Sequence, residues 1–322
     1  MFKYLSLAAA TFAVAACADI DPAATQEGPA KNAQGQGWSV NPSTDLNRLF
    51  NCLEDEAVTL VSAHRGGAYP GYPENALETI AHIIERAPAL IEVDVATSAD
   101  GVLFLMHDDT LNRTTTGSGE VSSLYWNDIK DLRLIDDDGG RTSFHPPLFA
   151  DVLEFAKSRT IMQIDFKRST RYEDVVNEVK RQNADDRVIY IAYSMAAARK
   201  LHRLHPKAMI SLSVNSQSDL NRAVASGIPA NRLIGFTGTE DPRPRLFDIL
   251  NDRDVEVIFG TLGGRSSIDR AIARSGSEAE YGQLASQGID IIATDRPLEA
   301  HRALVQSGRG AQNGTCGIFQ NG

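Results

Sequence analysis

The sequence predicts an α/β fold, a (β/α)8 TIM barrel with an insertion of about forty residues after the second-strand hairpin. Three observations predict this fold. After residue 57, short apolar runs alternate with amphipathic segments; eight of these runs fit parallel strands; and polar side chains follow their carboxyl ends. Repeated β–α units build a parallel sheet, and a barrel of eight such units carries its active site at the carboxyl ends of the strands.

The apolar runs are rich in β-branched residues and lack strict alternation, which is typical of strands that are covered on both faces. They span residues 58–63, 90–95, 102–106, 161–165, 188–192, 209–213, 233–236, 255–259 and 289–293. Helix-length segments lie between most of them, for example at residues 76–86, 172–182 and 195–205.

The third run does not fit a parallel barrel. Only about six residues separate it from the second run, whereas a parallel crossover needs a dozen or more. Asp100-Gly101 is typical of a hairpin tip, so we expect run 102–106 to return antiparallel at the mouth of the barrel. Residues 108–150 contain no clear long helix and predict an insertion above that mouth, where long connections are usually functional.

The amino terminus predicts a targeting segment. The apolar stretch at residues 5–16 is too short to span a bilayer, and Val14-Ala15-Ala16-Cys17 resembles the bacterial lipobox. We therefore expect a signal peptide at residues 1–17, lipidation of Cys17, and a lipid-anchored protein on the periplasmic side of a bacterial cell envelope. An ordinary secretory signal with an unrelated cysteine is the alternative. Ala18-Asp19 leaves the choice of inner or outer membrane open.

Composition divides the rest of the chain. Residues 18–50 and 307–322 are rich in small and polar residues and predict a flexible tether and a flexible tail around a domain at 51–306. The chain of 322 residues is 42% apolar and has a net charge of -10, so it can bury a large core and lacks the basic field of a nucleic-acid binder.

Cys52 and Cys316 either form a disulfide in an oxidising compartment or remain two separate thiols.

Three carboxylates are candidate metal ligands. Glu92 and Asp94 are two positions apart on one predicted strand, so they share a face, and Asp165 ends another strand. Three carboxylates at one mouth repel one another unless a cation joins them, and oxygen ligands suit Ca²⁺ or Mg²⁺. Structural ion pairs with Arg or Lys are the alternative.

Two histidines follow strands at the same predicted mouth. His64 precedes Arg65-Gly66-Gly67, and His107 follows run 102–106. Histidine can transfer protons near neutral pH, and the planar Arg65 side chain can bind phosphate. A hydrogen-bonded structural histidine is the alternative for each. His107-Asp108 does not match the His-Asp pair of metal phosphohydrolases, because that pair lies on helices.

Taken together, these motifs resemble the glycerophosphodiester phosphodiesterase family. The matching segments, in chain order, are His64-Arg65-Gly66-Gly67, Pro73-Glu74-Asn75, Glu92-Val93-Asp94, His107-Asp108 and Asp165-Phe166-Lys167. Residues 108–115, 147–153 and 288–297 also resemble the family, and the likeness spans residues 58–305 without a change of order.

The resemblance implies a role for each matched residue. Glu92, Asp94 and Asp165 would bind a divalent cation, Ca²⁺ or Mg²⁺, with Glu74 as a further ligand or a neighbour of the ligands. His64 and His107 would be the acid/base pair, Arg65 and Lys167 would bind phosphate, and Asn75 would orient the substrate or cap a helix beginning at Ala76. The implied reaction hydrolyses small-molecule glycerophosphodiesters to glycerol phosphate and an alcohol through a cyclic phosphate. The sequence does not show which histidine is the acid.

The chain departs from the family pattern at three places. Ala76 follows Asn75 where the family usually has Thr. Asp165 stands where the family usually has Glu, and we expect the shorter side chain to change the ion or admit a water. Residues 258–264 replace the Trp-Thr pair that often ends the penultimate strand. A lysophospholipase D on the same fold and a catalytically silent barrel that binds phosphorylated envelope ligands are the alternative functions.

Overall fold

This computed structural model describes residues 37–41 and 45–321. The strands, in chain order, are β1 (Gly37–Val40), β2 (Leu60–Ala63), β3 (Ala89–Thr97), β4 (Leu103–Leu105), β5 (Met162–Phe166), β6 (Val188–Ala192), β7 (Met209–Ser213), β8 (Leu233–Phe236), β9 (Glu256–Gly260), β10 (Ile291–Thr294) and β11 (Ile318–Asn321). All nine predicted runs coincide with strands. Only β1 and β11 were not predicted.

Eight of the strands close into a parallel barrel. The hydrogen-bonded order is β2-β3-β5-β6-β7-β8-β9-β10, and β10 pairs again with β2. Strand β4 pairs antiparallel with β3, with Leu105 opposite Val95. The predicted (β/α)8 barrel and its hairpin are therefore both confirmed.

Helices lie around the barrel, at its amino-terminal end and in the insertion. They are α1 (Leu46–Asp55), α2 (Leu77–Ile84), α3 (Trp126–Ile129), α4 (Phe149–Ala156), α5 (Tyr172–Arg181), α6 (Met195–Leu204), α7 (Gln217–Ala225), α8 (Pro244–Asn251), α9 (Ile268–Ser275), α10 (Ala279–Ala285) and α11 (Pro297–Gln306). Within residues 37–41 and 45–321, no helix has the length and apolar character needed to cross a membrane. The insertion holds only short helical turns, as expected.

A plug built from both ends of the described chain closes the amino-terminal end of the barrel. Leu49, Phe50 and Leu53 of α1 are buried in one apolar cluster with the first residues of the barrel strands. Strand β1 pairs antiparallel with β11 beside this cluster. A disulfide joins Cys52 to Cys316, which settles the choice between a bond and two thiols.

The structure differs here from the predicted tether at 18–50 and tail at 307–322. Residues 37–40 and 318–321 form strands, and α1 begins at Leu46. These polar segments are ordered because each gains hydrogen bonds and apolar contacts from the other end of the chain. The predicted signal peptide, Cys17 and the remainder of the tether lie outside the described residues.

Two acidic side chains are buried near this plug. Glu256 begins β9, Asp290 precedes β10, and their side chains are 3% and 9% exposed. Asp290 accepts a hydrogen bond from the Val257 backbone N–H at 2.7 Å. Burial raises the pKa of both carboxyls, and the charge of Asp290 adds to the shift at Glu256. The folded state therefore holds protons there that the unfolded chain releases.

We expect Glu256→Gln to stabilise the protein at alkaline pH and to have little effect in acid. Because the folded-state pKa of Glu256 lies above its ordinary 4.5, the free energy of unfolding falls as pH rises from that value. Glutamine cannot ionise, so the variant does not lose this free energy of unfolding as pH rises. Thermal melts of both proteins from pH 4 to pH 9 should show a difference in Tm that grows with pH. A constant difference would show that Glu256 does not titrate in this range.

Candidate active site

The loop after β2 brings the first histidine and arginine to the barrel mouth. Arg65 has a left-handed backbone with φ of 52°, and Gly67 follows with φ of 84°. A Cβ at Gly67 would lie 2.7 Å from Cγ1 of Ile83, so only glycine fits there. The Arg65 backbone N–H donates to Oε2 of Glu92 at 2.7 Å, which ties this tight loop to β3.

The three predicted carboxylates converge. Asp94 on β3 lies opposite Asp165 on β5 in the strand register, and Glu92 is two residues before Asp94. One oxygen from each of the three side chains lies within 4.8 Å of the others. Asp94 and Asp165 are buried. The parallel register thus produces the crowded acidic cluster that the sequence predicted.

Charge in this cluster is unevenly shared. Desolvation and the neighbouring Asp94 carboxylate raise the pKa of Glu92 to about 8. Burial also opposes ionisation of Asp94, but the Lys167 ammonium and a hydrogen bond from Asn75 outweigh it and lower the pKa of Asp94. The protein's own groups therefore neutralise only part of the cluster, and a proton or a cation must supply the rest.

Lys167 bridges two of the acids. Its Nζ lies 3.1 Å from Oδ1 of Asp94 and 3.2 Å from Oδ2 of Asp165. Oδ1 of Asp165 is buried and has no hydrogen-bond partner among the described residues. Lys167 also lines the cavity above the acids, so it can reach a ligand there.

Asn75 positions Asp94. Its Nδ2 donates to Oδ2 of Asp94 at 2.7 Å, and its Oδ1 accepts from the Asp94 backbone N–H at 3.0 Å. The alternative that Asn75 caps the next helix is wrong, because α2 begins at Leu77 and its N-cap is Ala76. Asn75 itself has φ of 58°, a left-handed backbone that asparagine tolerates well.

Each histidine is paired with an aspartate through Nδ1. His64 lies 2.7 Å from Oδ1 of Asp295, and His107 lies 2.7 Å from Oδ1 of Asp108. Burial disfavours the charged form of His64, but Asp295 and the nearby Glu92 outweigh it and raise the pKa of His64. No partner for either ring was predicted from the sequence, although Asp295 directly follows the last barrel strand and Asp108 adjoins His107.

Glu74 lies apart from the three clustered acids and is held by arginines. Arg113, in the insertion, donates from Nη1 and Nη2 to the two Glu74 oxygens at 2.8 Å each, and from Nε to Oδ2 of Asp108 at 2.7 Å. Arg65 Nη1 lies 3.1 Å from Oε2 of Glu74. Burial opposes the charge of Glu74, but the two arginines outweigh it and lower its pKa. Glu74 therefore forms ion pairs with two arginines and does not belong to the acidic cluster of Glu92, Asp94 and Asp165.

Both histidines and all three acids line one cavity of about 200 Å³. A groove of about 760 Å³ adjoins it at His64 and runs between Arg113 and the loop after β10. Acids that can hold a cation, side chains that can bind an anion, and two groups that can transfer protons therefore meet at one solvent-accessible point. The fold and this chemistry define a barrel hydrolase that acts on phosphoesters.

Comparisons with known proteins agree with that class. The sequence profile of the glycerophosphoryl diester phosphodiesterase family matches residues 64–257. The chain belongs to this family, and it is a phosphodiesterase.

Individual relatives resemble most of the barrel. A glycerophosphodiester phosphodiesterase of Bacillus altitudinis is 30% identical over 178 residues, which cover 51% of this chain and 71% of the relative. A crystal structure of a glycerophosphoryl diester phosphodiesterase from Parabacteroides distasonis superposes with a TM-score of 0.77 at 28% identity, covering 84% of this chain and 94% of that one. A phosphodiesterase of Oleispira antarctica, solved with sn-glycerol-3-phosphate, shares the fold at 17% identity with a TM-score of 0.59, covering 77% of this chain and 97% of that one.

We expect Arg113→Ala to destabilise the protein by about 1–3 kcal/mol at pH 7, because it leaves the buried Glu74 carboxylate with a weaker set of partners. The effect should shrink towards pH 4, since the stability from an Asp or Glu with a lowered pKa is lost in acid. Denaturant unfolding measures both values.

Arg168→Ala is the matched control. Arg168 forms an exposed ion pair with Asp109 at 3.8 Å, so its loss should cost less than about 0.5 kcal/mol. Equal costs for the two variants would contradict the role given to Arg113.

Proposed function

We propose that the protein is a metal-dependent hydrolase of glycerophosphodiesters that uses His64 and His107 as an acid/base pair. The observation that carries this proposal is the convergence of three carboxylates and two His–Asp pairs on one cavity. The name of the Bacillus altitudinis relative supports the substrate class. A lysophospholipid is the alternative substrate, and it differs in the groups beyond the phosphate.

The acidic cluster fits a divalent cation. Oδ1 of Asp165 is buried without a partner, and the pKa of Glu92 is raised because negative charge is in excess there. Glu92, Asp94 and Asp165 offer the oxygen ligands that Ca²⁺ or Mg²⁺ prefers. Such a cation would withdraw charge from the phosphate oxygens. Asn75 would fix Asp94 for this role, and Arg65 and Lys167 would bind the same phosphate as direct cationic partners.

The hydrogen bonds of His107 fit it for the base. Arg65 Nη2 lies 2.7 Å from Nε2 of His107, and because an arginine only donates, Nε2 must be unprotonated. The ring proton is then on Nδ1 and is donated to Asp108. Once a phosphate draws Arg65 away, the Nε2 lone pair can accept a proton from a substrate hydroxyl.

His64 is suited to be the acid. Asp295 accepts the Nδ1 proton, and the raised pKa of His64 favours the charged ring, which carries a second proton on Nε2. That proton can go to the oxygen of the departing alcohol. His64 lines both the central cavity and the larger groove, so a departing group can leave through the groove.

These roles balance in two steps. The glycerol 2-hydroxyl loses its proton to His107 and attacks phosphorus, the bond from phosphorus to the alcohol breaks, and the alcohol takes a proton from His64. The product is a cyclic phosphate. Water then gives a proton to His64 and attacks phosphorus, and His107 returns its proton to the glycerol oxygen, which leaves glycerol phosphate.

The metal proposal predicts that Asp94→Asn lowers kcat on the order of 10²-fold or more while the barrel stays folded. Chelation of the wild type should have the same effect, and added Ca²⁺ or Mg²⁺ should reverse it. Titration calorimetry should show binding of either ion to the wild type and much weaker binding to the variant. Full activity after exhaustive chelation would refute the metal requirement.

The acid/base proposal predicts that His64→Ala and His107→Ala each lower kcat by about 10²–10⁴-fold with less effect on KM. The double variant should lose less than the product of the two, because both groups act in one step. A 2-deoxy glycerophosphodiester should be nearly inert for the wild type. Cleavage of that substrate at the normal rate would mean that water attacks directly.

We also propose that Cys17 carries lipid and holds the protein at the periplasmic face of the cell envelope. The lipobox-like Val14-Ala15-Ala16-Cys17 supports this, and so does the Cys52–Cys316 disulfide, which suits an oxidising compartment. Intact mass of the mature protein should show acyl chains on residue 17. An unmodified amino terminus at another residue would refute the anchor.

A further inference from the structure

We propose that Asp269 is a positioning residue for catalysis: it fixes Asp295, and Asp295 fixes the ring of His64. This inference rests on the proposed function through the catalytic role of His64. It concerns a residue outside the central cavity, in the segment between the last two barrel strands.

Asp269 is 1% exposed and lies in α9, and its carboxylate accepts three hydrogen bonds. The Tyr281 hydroxyl and the Thr294 hydroxyl donate to Oδ1 at 2.7 and 2.9 Å. The Asp295 backbone N–H donates to Oδ2 at 2.7 Å. Helices α9 and α10 are thereby tied to the carboxyl end of β10 through one side chain.

A cation does not balance this carboxylate. Across residues 37–41 and 45–321, Asp269 forms no ion pair with a lysine, arginine or histidine. A buried carboxylate is costly, and an apolar side chain could fill the same space without that cost. What an apolar side chain could not do is accept the Asp295 N–H. Its three accepted hydrogen bonds set Asp269 apart from a packing residue, and the one from Asp295 is the one that leads to the site.

Asp295 passes this restraint to the histidine. Its Oδ1 accepts from Nδ1 of His64 at 2.7 Å, and its Oδ2 accepts from the Gly263 backbone N–H at 3.0 Å. Both carboxylate oxygens and the backbone N–H of Asp295 are thus fixed. Without Asp269, the N–H loses its acceptor in a partly buried site, and the backbone that carries the carboxylate can rotate. A shift of less than 1 Å in a proton donor is enough to slow a proton transfer.

Asp269 is itself held to the barrel. Its backbone N–H donates to the carbonyl of Thr261 at 2.9 Å, just beyond β9. Thr261 lies within residues 258–264, where this chain departs from the Trp-Thr pattern of its family. Asp269 therefore connects the residue just after β9 to the residue just after β10.

The test compares Asp269→Ala with Asp290→Ala. Asp290 is a matched control, because it is also a buried carboxylate that accepts a backbone N–H, but it lies at the opposite end of the same two strands. We expect Asp269→Ala to lower kcat by about 10–100-fold with KM changed less than about threefold. Asp290→Ala should leave kcat within about twofold. Thermal melts of both variants measure how far each loss is one of stability.

A double-mutant cycle with His64→Ala separates positioning from general damage. The assay uses glycerophospho-p-nitrophenol, whose leaving group needs little protonation, so that variants lacking His64 keep measurable activity. If Asp269 acts through His64, Asp269→Ala should have no further effect on kcat in the His64→Ala background. Asp269→Asn should restore most of the activity, because its amide oxygen can face Asp295 N–H while its NH₂ faces the two hydroxyl oxygens.

Each remaining result decides against the inference. It is overturned if Asp269→Ala keeps kcat at the level of Asp290→Ala, or if its loss persists in the His64→Ala background. If Asp269→Ala does not fold, Asp269→Ser, which is too short to reach Asp295, replaces it in the same cycle. Failure of both to fold would make Asp269 purely structural. A fully active His64→Ala single variant would instead refute the proposed function itself.

Discussion

Repulsion among Glu92, Asp94 and Asp165 is the constraint on which the site depends. Parallel strands in register place these carboxylates together, and the burial of Asp94 and Asp165 weakens their screening by solvent. Lys167 offsets part of the charge and the Arg65 backbone N–H part of the rest. The loop after β2 also contributes, because the left-handed backbone of Arg65 directs its N–H towards Glu92.

Buried acids at the two ends of the barrel differ in what surrounds them and in what they can bind. At the mouth, Lys167 and Asn75 lower the pKa of Asp94, while Glu92 has a raised pKa beside a cavity that can receive a cation. At the base, Glu256 and Asp290 lie near a plug of packed helix and sheet, and raised pKa values leave them protonated over part of the pH range. Similar side chains thus form a cluster that can bind a cation in one place and lower stability at high pH in the other.

The sequence predicted what depends on local pattern. Buried strands, the hairpin at Asp100-Gly101 and the convergence of three strand-end acids follow from hydrophobic runs and the geometry of parallel strands. The partner of His64 could not be predicted from local pattern, because Asp295 lies 231 positions away and is held in turn by Asp269 of a separate helix. Asn75 was misassigned in part because Asn is a common helix cap, whereas here it holds Asp94. Strands β1 and β11 carry too few apolar residues to be predicted from the sequence. They form strands because they pair with each other.

That pairing has a consequence for how the molecule folds. Gly37 lies opposite Asn321 in the register, so the sheet that seals the barrel base joins residues from nearly opposite ends of the described chain. Such a contact closes a very long loop, and its entropic cost is met only after the intervening strands have assembled. During synthesis, β1 has no partner until almost the entire barrel has been synthesised, because β11 lies at residues 318–321. Formation of the base plug is therefore a late event, and molecules that stop short of it expose the apolar face of α1 to other chains.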